Sequence, residues 1–179
     1  MKRGVRLMQK IKPIVMDALL YFFQIVVWFW PSFIVGNLIV GMLVRVAMNN
    51  SNEFVAVIFE TVTSVLVLCA GLFLFAYRRG HKRAEFHYKK LLLSMILAFG
   101  LQLIYAVVLR FNVYTIAGAY FLAYLFCPHT SADDIPAYVD IICMCIVYVF
   151  YIAAVLWGEY LGKKKRLAER SVLNLDETT

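Results

Sequence analysis

The sequence predicts an all-α integral membrane protein with four transmembrane helices, both termini cytoplasmic, and an interfacial or re-entrant segment between helices 3 and 4. Three observations lead to this prediction. The 179 residues are 63% hydrophobic and 16% charged, whereas soluble domains are roughly 45–50% apolar. The apolar residues form continuous runs instead of alternating, which favours helices over a β-barrel. The basic residues flank these runs in three clusters, so we treat 1–179 as one membrane domain.

The first predicted span, 14–48, follows a basic N-terminal segment. Its apolar part is much longer than the ~7–15 residues of a signal-peptide core, and no small-residue cleavage pattern is present, so we expect it to be retained as an anchor. A helix of this length would reach about 52 Å, beyond the ~30 Å of a hydrocarbon core. We therefore expect a kink at Pro31, an interfacial first turn around 13–20, or both.

The later spans are separated by segments of different character. The second predicted span, 54–77, leads into a basic loop, 78–90, which contains six Lys or Arg residues. The third span is 91–109, and an outer segment, 110–136, joins it to the fourth. Within that outer segment, the apolar stretch 113–126 is too short for a comfortable crossing. We expect it to be interfacial or re-entrant.

The distribution of basic residues fixes the orientation. The fourth predicted span, 137–161, is followed by a basic tail, 162–179, and a fifth crossing before it would place that tail outside. Of the 18 Lys and Arg residues, only Arg45 and Arg110 then fall on the outer side. We expect a multi-pass protein of the cell membrane, of the bacterial inner-membrane type, whose basic clusters contact anionic headgroups at the cytoplasmic face and not nucleic acid.

Charges within the spans are the candidate functional residues, because their burial is costly unless they pair or face water. Arg45 and Arg110 close the first and third spans, and Glu60 and Asp140 lie a few residues inside the second and fourth. At about 1.5 Å per residue these carboxylates are roughly 6–9 Å below the outer boundary, within reach of an Arg side chain. The spacing therefore allows two pairs between an Arg and an acid.

Two interpretations of these residues remain open. They could line a polar pocket open to the outside, with Asn37 and Gln102 deeper in it. Alternatively, each Arg reaches the headgroups and each acid binds its nearest Arg as a latch between helices, and we favour this structural interpretation. Asp17 and Glu159, at the inner ends of spans one and four, are expected to form solvated pairs with neighbouring basic residues.

No cofactor, metal or catalytic site is predicted. Cys143 and Cys145 are two residues apart, so on a helix their side chains point about 200° apart. Cys127 and His129 lie in the preceding outer segment, away from them. Packing is the favoured role of the cysteines. The sequence contains no His-Glu-x-x-His, no glycine-rich phosphate loop, and no Ser or Cys nucleophile beside a His.

Small residues recur in the spans and predict close helix packing. They are Gly36, Gly41, Ala70, Gly71, Ala98, Gly100, Ala153, Ala154 and Gly158. One four-helix bundle accounts for them. With so few spans, a homo-oligomer or a larger membrane complex is a natural second use.

Three classes of function are compatible with these features. The leading hypothesis is a non-catalytic accessory, immunity-like or assembly component that works through helix–helix contacts. The alternative is a small transporter or channel subunit with an outward-facing pocket. The third is a membrane-embedded enzyme acting on a lipid-linked substrate, in which the same charged residues would provide an acidic pair and a phosphate-binding Arg.

Overall fold

The computed structural model describes residues 2–48, 53–82, 87–108 and 137–176. All regular structure in these ranges is helical, which confirms the all-α prediction for this part of the chain. The elements are α1 (Lys2–Phe33), a π-helix (Ile34–Gly41), α2 (Met42–Ala47), α3 (Glu53–Lys82), α4 (Tyr88–Val108) and α5 (Ala137–Asp176). The predicted interfacial or re-entrant segment, 113–126, lies outside the described residues.

Within the described ranges, three helical stretches are long and apolar enough to cross a membrane: Ile11–Ala47, Val55–Lys82 and Ile141–Ser171. Large apolar side chains along these stretches, such as Leu43 and Leu66, face outward. Soluble monomers rarely expose contiguous apolar patches of more than a few hundred Å². The described part of the chain therefore has the character of an all-helical membrane protein.

The four long helices pack as a bundle in the cyclic order α1, α3, α5, α4, and each contacts both of its neighbours. The contact between α3 and α5 is the most extensive of these, and that between α4 and α5 is the least. The buried core includes Tyr21, Leu72, Met95 and Tyr151. Because apolar contacts alone discriminate weakly between helices in lipid, close backbone packing and hydrogen bonds must hold the bundle together.

Three glycines let α3 and α5 approach closely. A Cβ added at Gly162 would meet the carbonyl oxygen of Tyr77, and one added at Gly80 would meet the backbone of Glu159. Gly158 lies one turn before Gly162, so the two present the same face of α5 to α3. This small-x-x-x-small arrangement explains why α3 and α5 form the closest pair.

Helices α3 and α5 both continue past the predicted ends of their spans. The first residues of the predicted basic loop, 78–90, belong to α3, which ends at Lys82, and most of the predicted tail belongs to α5. Contacts between the two extensions hold them together: Arg166 Nη1 donates to the carbonyl oxygen of Lys82 at 3.1 Å, and His81 Nε2 lies 3.4 Å from Glu169 Oε2. The helices thus end well beyond the first charged residues.

The chain stays helical through Pro31, and the irregularity lies just after it. Pro31 has no N–H to donate to the preceding turn. The π-helix Ile34–Gly41 begins three residues later. Such widened turns, with hydrogen bonds from residue i to i+5, are rare and occur frequently at functional sites.

Candidate functional site: charged side chains at two levels of the bundle

Arg45 and Glu60 form an ion pair between α2 and α3, with 2.7 Å between Arg45 Nη2 and Glu60 Oε1. The Glu60 side chain is 1% exposed, whereas that of Arg45 is 42% exposed. A buried carboxylate without a cation would pay a desolvation cost of several kcal/mol. Arg45 therefore compensates a charge that the bundle encloses, while the rest of its side chain reaches the surface.

The π-helix brings this pair together. With α-helical winding, Gly36 and Gly41 would point about 140° apart, because five residues turn about 500°. In the wider π-helix both glycines face α3: a Cβ on Gly36 would meet Ser64, and one on Gly41 would meet the Glu60 carboxylate. Arg45 follows one α-helical turn after Gly41 and so shares this face. The π-helix thus aligns two glycines and a cation against α3.

The hydroxyl groups beside the pair bind the backbone. Ser64 Oγ donates to the carbonyl oxygen of Ser32 at 3.3 Å, which links α3 to the end of α1. Thr61 Oγ1 donates to the carbonyl oxygen of Val57 at 2.8 Å, and Ser32 Oγ to that of Phe29 at 2.7 Å. The Ser64 bond supplies a donor to a carbonyl oxygen two residues before the start of the π-helix.

The other predicted site residues have different outcomes. Gln102 is buried, and neither atom of its side-chain amide has a hydrogen-bond partner in the described part of the chain. The side chains of Asn37 and Asp140, which belong to the π-helix and the first turn of α5, lie outside what the structure describes, as does all of Arg110. Of the two Arg–acid pairs that the sequence allows, one falls within the described residues, between Arg45 and Glu60.

A second group of charges, which we call the Arg79 cluster, joins α1, α3 and α5. Arg79 Nη2 pairs with Asp17 Oδ1, and Arg79 Nε lies 3.7 Å from Glu159 Oε1. Tyr21 Oη donates to Glu159 Oε1 at 2.7 Å, and its ring centroid lies 5.0 Å from Arg79 Cζ. These four side chains define the cluster, in which one guanidinium is shared between two carboxylates.

The side chains of the Arg79 cluster are buried or nearly so, and the expectation of solvated pairs for Asp17 and Glu159 was therefore wrong. The side chains of Arg79, Asp17 and Glu159 are 10%, 16% and 3% exposed. The close approach of α3 and α5 at Gly80 and Gly158 encloses Glu159, because that residue directly follows one glycine and packs against the other. A charged residue beside closely packed glycines was the sequence signal that could have revealed this burial.

The two charged groups lie at opposite ends of a long apolar stretch. Glu60 and Arg79 are 19 residues apart on α3, which corresponds to about 28 Å at the α-helical rise. Residues 61–77 between them include no Asp, Glu, Lys or Arg. This separation is close to the ~30 Å thickness of a hydrocarbon core. One charged group would therefore lie near each boundary of the membrane.

We expect Arg45→Ala to destabilise the protein more than Glu60→Gln. The first change leaves a buried carboxylate without its cation, whereas the second leaves a partly exposed guanidinium that can reach headgroups or water. Thermal unfolding in detergent measures both, and because Arg45 is partly exposed we expect about 1–3 kcal/mol for Arg45→Ala. The double variant Arg45→Ala/Glu60→Gln should be more stable than Arg45→Ala alone; if it is less stable, the asymmetry has another cause.

The described ranges contain no group of three or more His, Cys, Asp or Glu side chains arranged to hold a metal ion. Cys143 is buried in the core and Cys145 is exposed on α5. Their opposite environments follow from the helical angle between residues two apart. Comparison with protein-family models, with curated proteins and with solved structures gives no match. The class that the fold itself defines is an all-helical, membrane-embedded bundle.

Proposed function

We propose that this protein is a four-span, non-catalytic component of a membrane complex, acting as an accessory, immunity-like or assembly factor through its helix faces. The observation that supports this proposal is that the charged side chains at both levels of the bundle bind charged partners on neighbouring helices. Glu60 binds Arg45, and Arg79 binds both Asp17 and Glu159. The first contact joins α2 to α3, and the other two join α1 and α5 to α3, so these charges hold the helices together. The apolar faces are left as the surface that a partner can contact.

The length of α4 supports a fourth span. It contains 21 residues, which at the α-helical rise is about 31 Å and matches a hydrocarbon core. Basic residues at the start of α4, in the last turns of α3 and late in α5 belong to the same end of the bundle as the Arg79 cluster. We place that end, with both termini, on the cytoplasmic side, where basic segments are retained.

Single-cysteine labelling tests this orientation. In a background without the native cysteines, Lys164→Cys should react with a membrane-impermeant maleimide only from the cytoplasmic side. Lys164 is exposed at the end of the bundle that holds the Arg79 cluster. Ala47→Cys, exposed at the end of α2 beyond Arg45, is the matched position for the opposite side. Labelling of Lys164→Cys from outside would overturn the proposed orientation.

Photocrosslinking in the native membrane tests the accessory role. A photoreactive amino acid at Leu66 or Phe59, both exposed on α3, should crosslink to one defined membrane protein or to a second copy of this chain. The same residue at Leu68, which is fully buried on α3, is the control and should give no intermolecular product. If the exposed positions crosslink only to lipid, a partner does not bind this face.

A transporter or channel subunit is the second candidate, and the buried Gln102 favours it. An amide enclosed without partners costs free energy in a folded bundle, and such groups in membrane helices often mark a substrate or ion path. If this role is correct, Gln102→Leu should abolish flux in proteoliposomes. Ser94→Ala is the control, because buried Ser94 on the same helix already bonds the carbonyl oxygen of Lys90. Equal flux in both variants would remove Gln102 from the path.

A further inference from the structure

A narrow apolar groove lies between α4 and α5, the neighbouring long helices with the least extensive contact. Its volume is about 180 Å³. It is lined by Ile96, Phe99, Cys145, Tyr148, Val149 and Ile152. The Tyr148 hydroxyl donates to the carbonyl oxygen of Met95 at 2.6 Å, so its hydrogen is already used. A lining this apolar offers water almost no hydrogen-bond partners, so the groove favours apolar molecules.

The groove is open to the surroundings of the bundle. Ile96 on α4 and Val149 on α5 are both more than half exposed. In a membrane these surroundings are lipid acyl chains, which are flexible enough to enter a narrow cleft. The material that fills the groove is therefore hydrocarbon.

Each of the two helices that form the groove carries a lysine on the side of the groove that leads towards the Arg79 cluster. Lys89 precedes Ile96 by seven residues, or two turns, and Lys163 follows Ile152 by eleven residues, or three turns, so each shares the groove face of its helix. At the α-helical rise these lysines are about 10 Å and about 16 Å from the groove. One leaflet of a hydrocarbon core is about 15 Å thick. The lysines thus lie at headgroup depth for a chain seated in the groove.

We propose that this groove binds an acyl chain of an anionic phospholipid whose phosphate lies between Lys89 and Lys163. Leu92 and Leu156, one turn from the groove residues on α4 and α5, continue its apolar face towards the lysines. The nearby carboxylate of Glu159 binds Tyr21 and Arg79 instead of facing the phosphate. A zwitterionic lipid fits the groove equally well but gains less from the two cations.

Native mass spectrometry of the full chain in detergent, titrated with phosphatidylglycerol or phosphatidylcholine, tests the site. With a contribution of about 1 kcal/mol per cation near the surface, two lysines predict about a 30-fold preference for phosphatidylglycerol. Lys89→Gln should reduce that preference about fivefold. Cys145→Trp, which fills the groove, should reduce the binding of both lipids.

Two control variants distinguish binding at this site from nonspecific attraction between the lipid and the protein. Lys165→Gln removes a charge from α5 at about 200° from Lys163, and Leu66→Trp enlarges an exposed side chain on α3; neither should change lipid binding. Circular dichroism and the unfolding temperature establish that each variant is folded. Equal affinity for the two lipids, equal effects of Lys89→Gln and Lys165→Gln, or unchanged binding by Cys145→Trp would each overturn the proposal.

The lipid site rests on the proposed function in one respect only. The proposed membrane orientation decides which leaflet supplies the lipid, and that orientation places the lipid on the cytoplasmic side. Binding in detergent does not depend on sidedness. If Lys164→Cys is labelled from outside while the lipid preference persists, the orientation fails and the site stands. If the labelling is cytoplasmic and no lipid is retained, the site fails and the orientation stands.

Discussion

Arg79→Ala is expected to lower the free energy of unfolding by about 3–5 kcal/mol, the cost of removing one partner from a buried charge pair. The guanidinium is 10% exposed and is the cation that both Asp17 and Glu159 contact. Without it, two carboxylates remain enclosed between α1, α3 and α5 and lose the cation that they share. Thermal unfolding in detergent, followed by circular dichroism, measures the loss.

Arg78→Ala is the matched control, because Arg78 is the adjacent basic residue and is exposed. We expect its effect to stay within about 0.5 kcal/mol, as for surface substitutions generally. A triple variant with Arg79→Ala, Asp17→Asn and Glu159→Gln should recover part of the stability, since it also removes the two carboxylate charges that Arg79 contacts. If Arg78→Ala and Arg79→Ala are equally harmful, the cluster is not the source of the effect.

The residues that could be predicted from sequence are those whose role follows from position along one helix. Glu60 and Arg45 each carry a charge near the same end of an apolar run, and a long side chain can cover the distance between them. The structure places them 2.7 Å apart. A contact between them can be predicted without knowing which helices are neighbours, because the two runs are consecutive and their connection is short.

The Arg79 cluster required information that is not local. Asp17, Arg79 and Glu159 come from three separate helices, and both carboxylates have nearby basic residues in the sequence that could have neutralised them in water. Their burial depends on the close contact between α3 and α5, which Gly80, Gly158 and Gly162 permit. Because Gly162 falls in the predicted tail, the pair of glycines on α5 was divided by a span boundary and its packing role was missed.

The π-helix could not be predicted from the sequence either. Pro31 predicted a local irregularity, but a widened helix of eight residues was not among the expected adjustments. The spacing of Gly36 and Gly41 makes sense only with that winding, since in an α-helix the two would face different neighbours. Sequence periodicity assumes a constant angle per residue. It therefore fails where the backbone changes its own period.

Gly162→Ala is expected to destabilise the bundle by about 1–3 kcal/mol, as overpacking does in a close-packed interior. The added Cβ meets the carbonyl oxygen of Tyr77 and, at 2.8 Å, the backbone nitrogen of His81. Backbone atoms cannot rotate away as a side chain can, so α3 and α5 must separate. Unfolding temperature in detergent reports the loss, and Gly162→Leu should cost more.

Gly100→Ala provides the contrasting outcome, because a Cβ at Gly100 meets nothing within 4 Å. We expect it to be neutral or to stabilise by up to about 1 kcal/mol, the difference in helix propensity between Gly and Ala. The Arg79 cluster links the two experiments: separation of α3 and α5 by Gly162→Ala should also expose Glu159 and weaken its contact with Arg79. Arg79→Ala should therefore cost less in the Gly162→Ala background than in the native protein, and strictly additive losses would show that the glycine contact and the cluster stabilise the bundle independently.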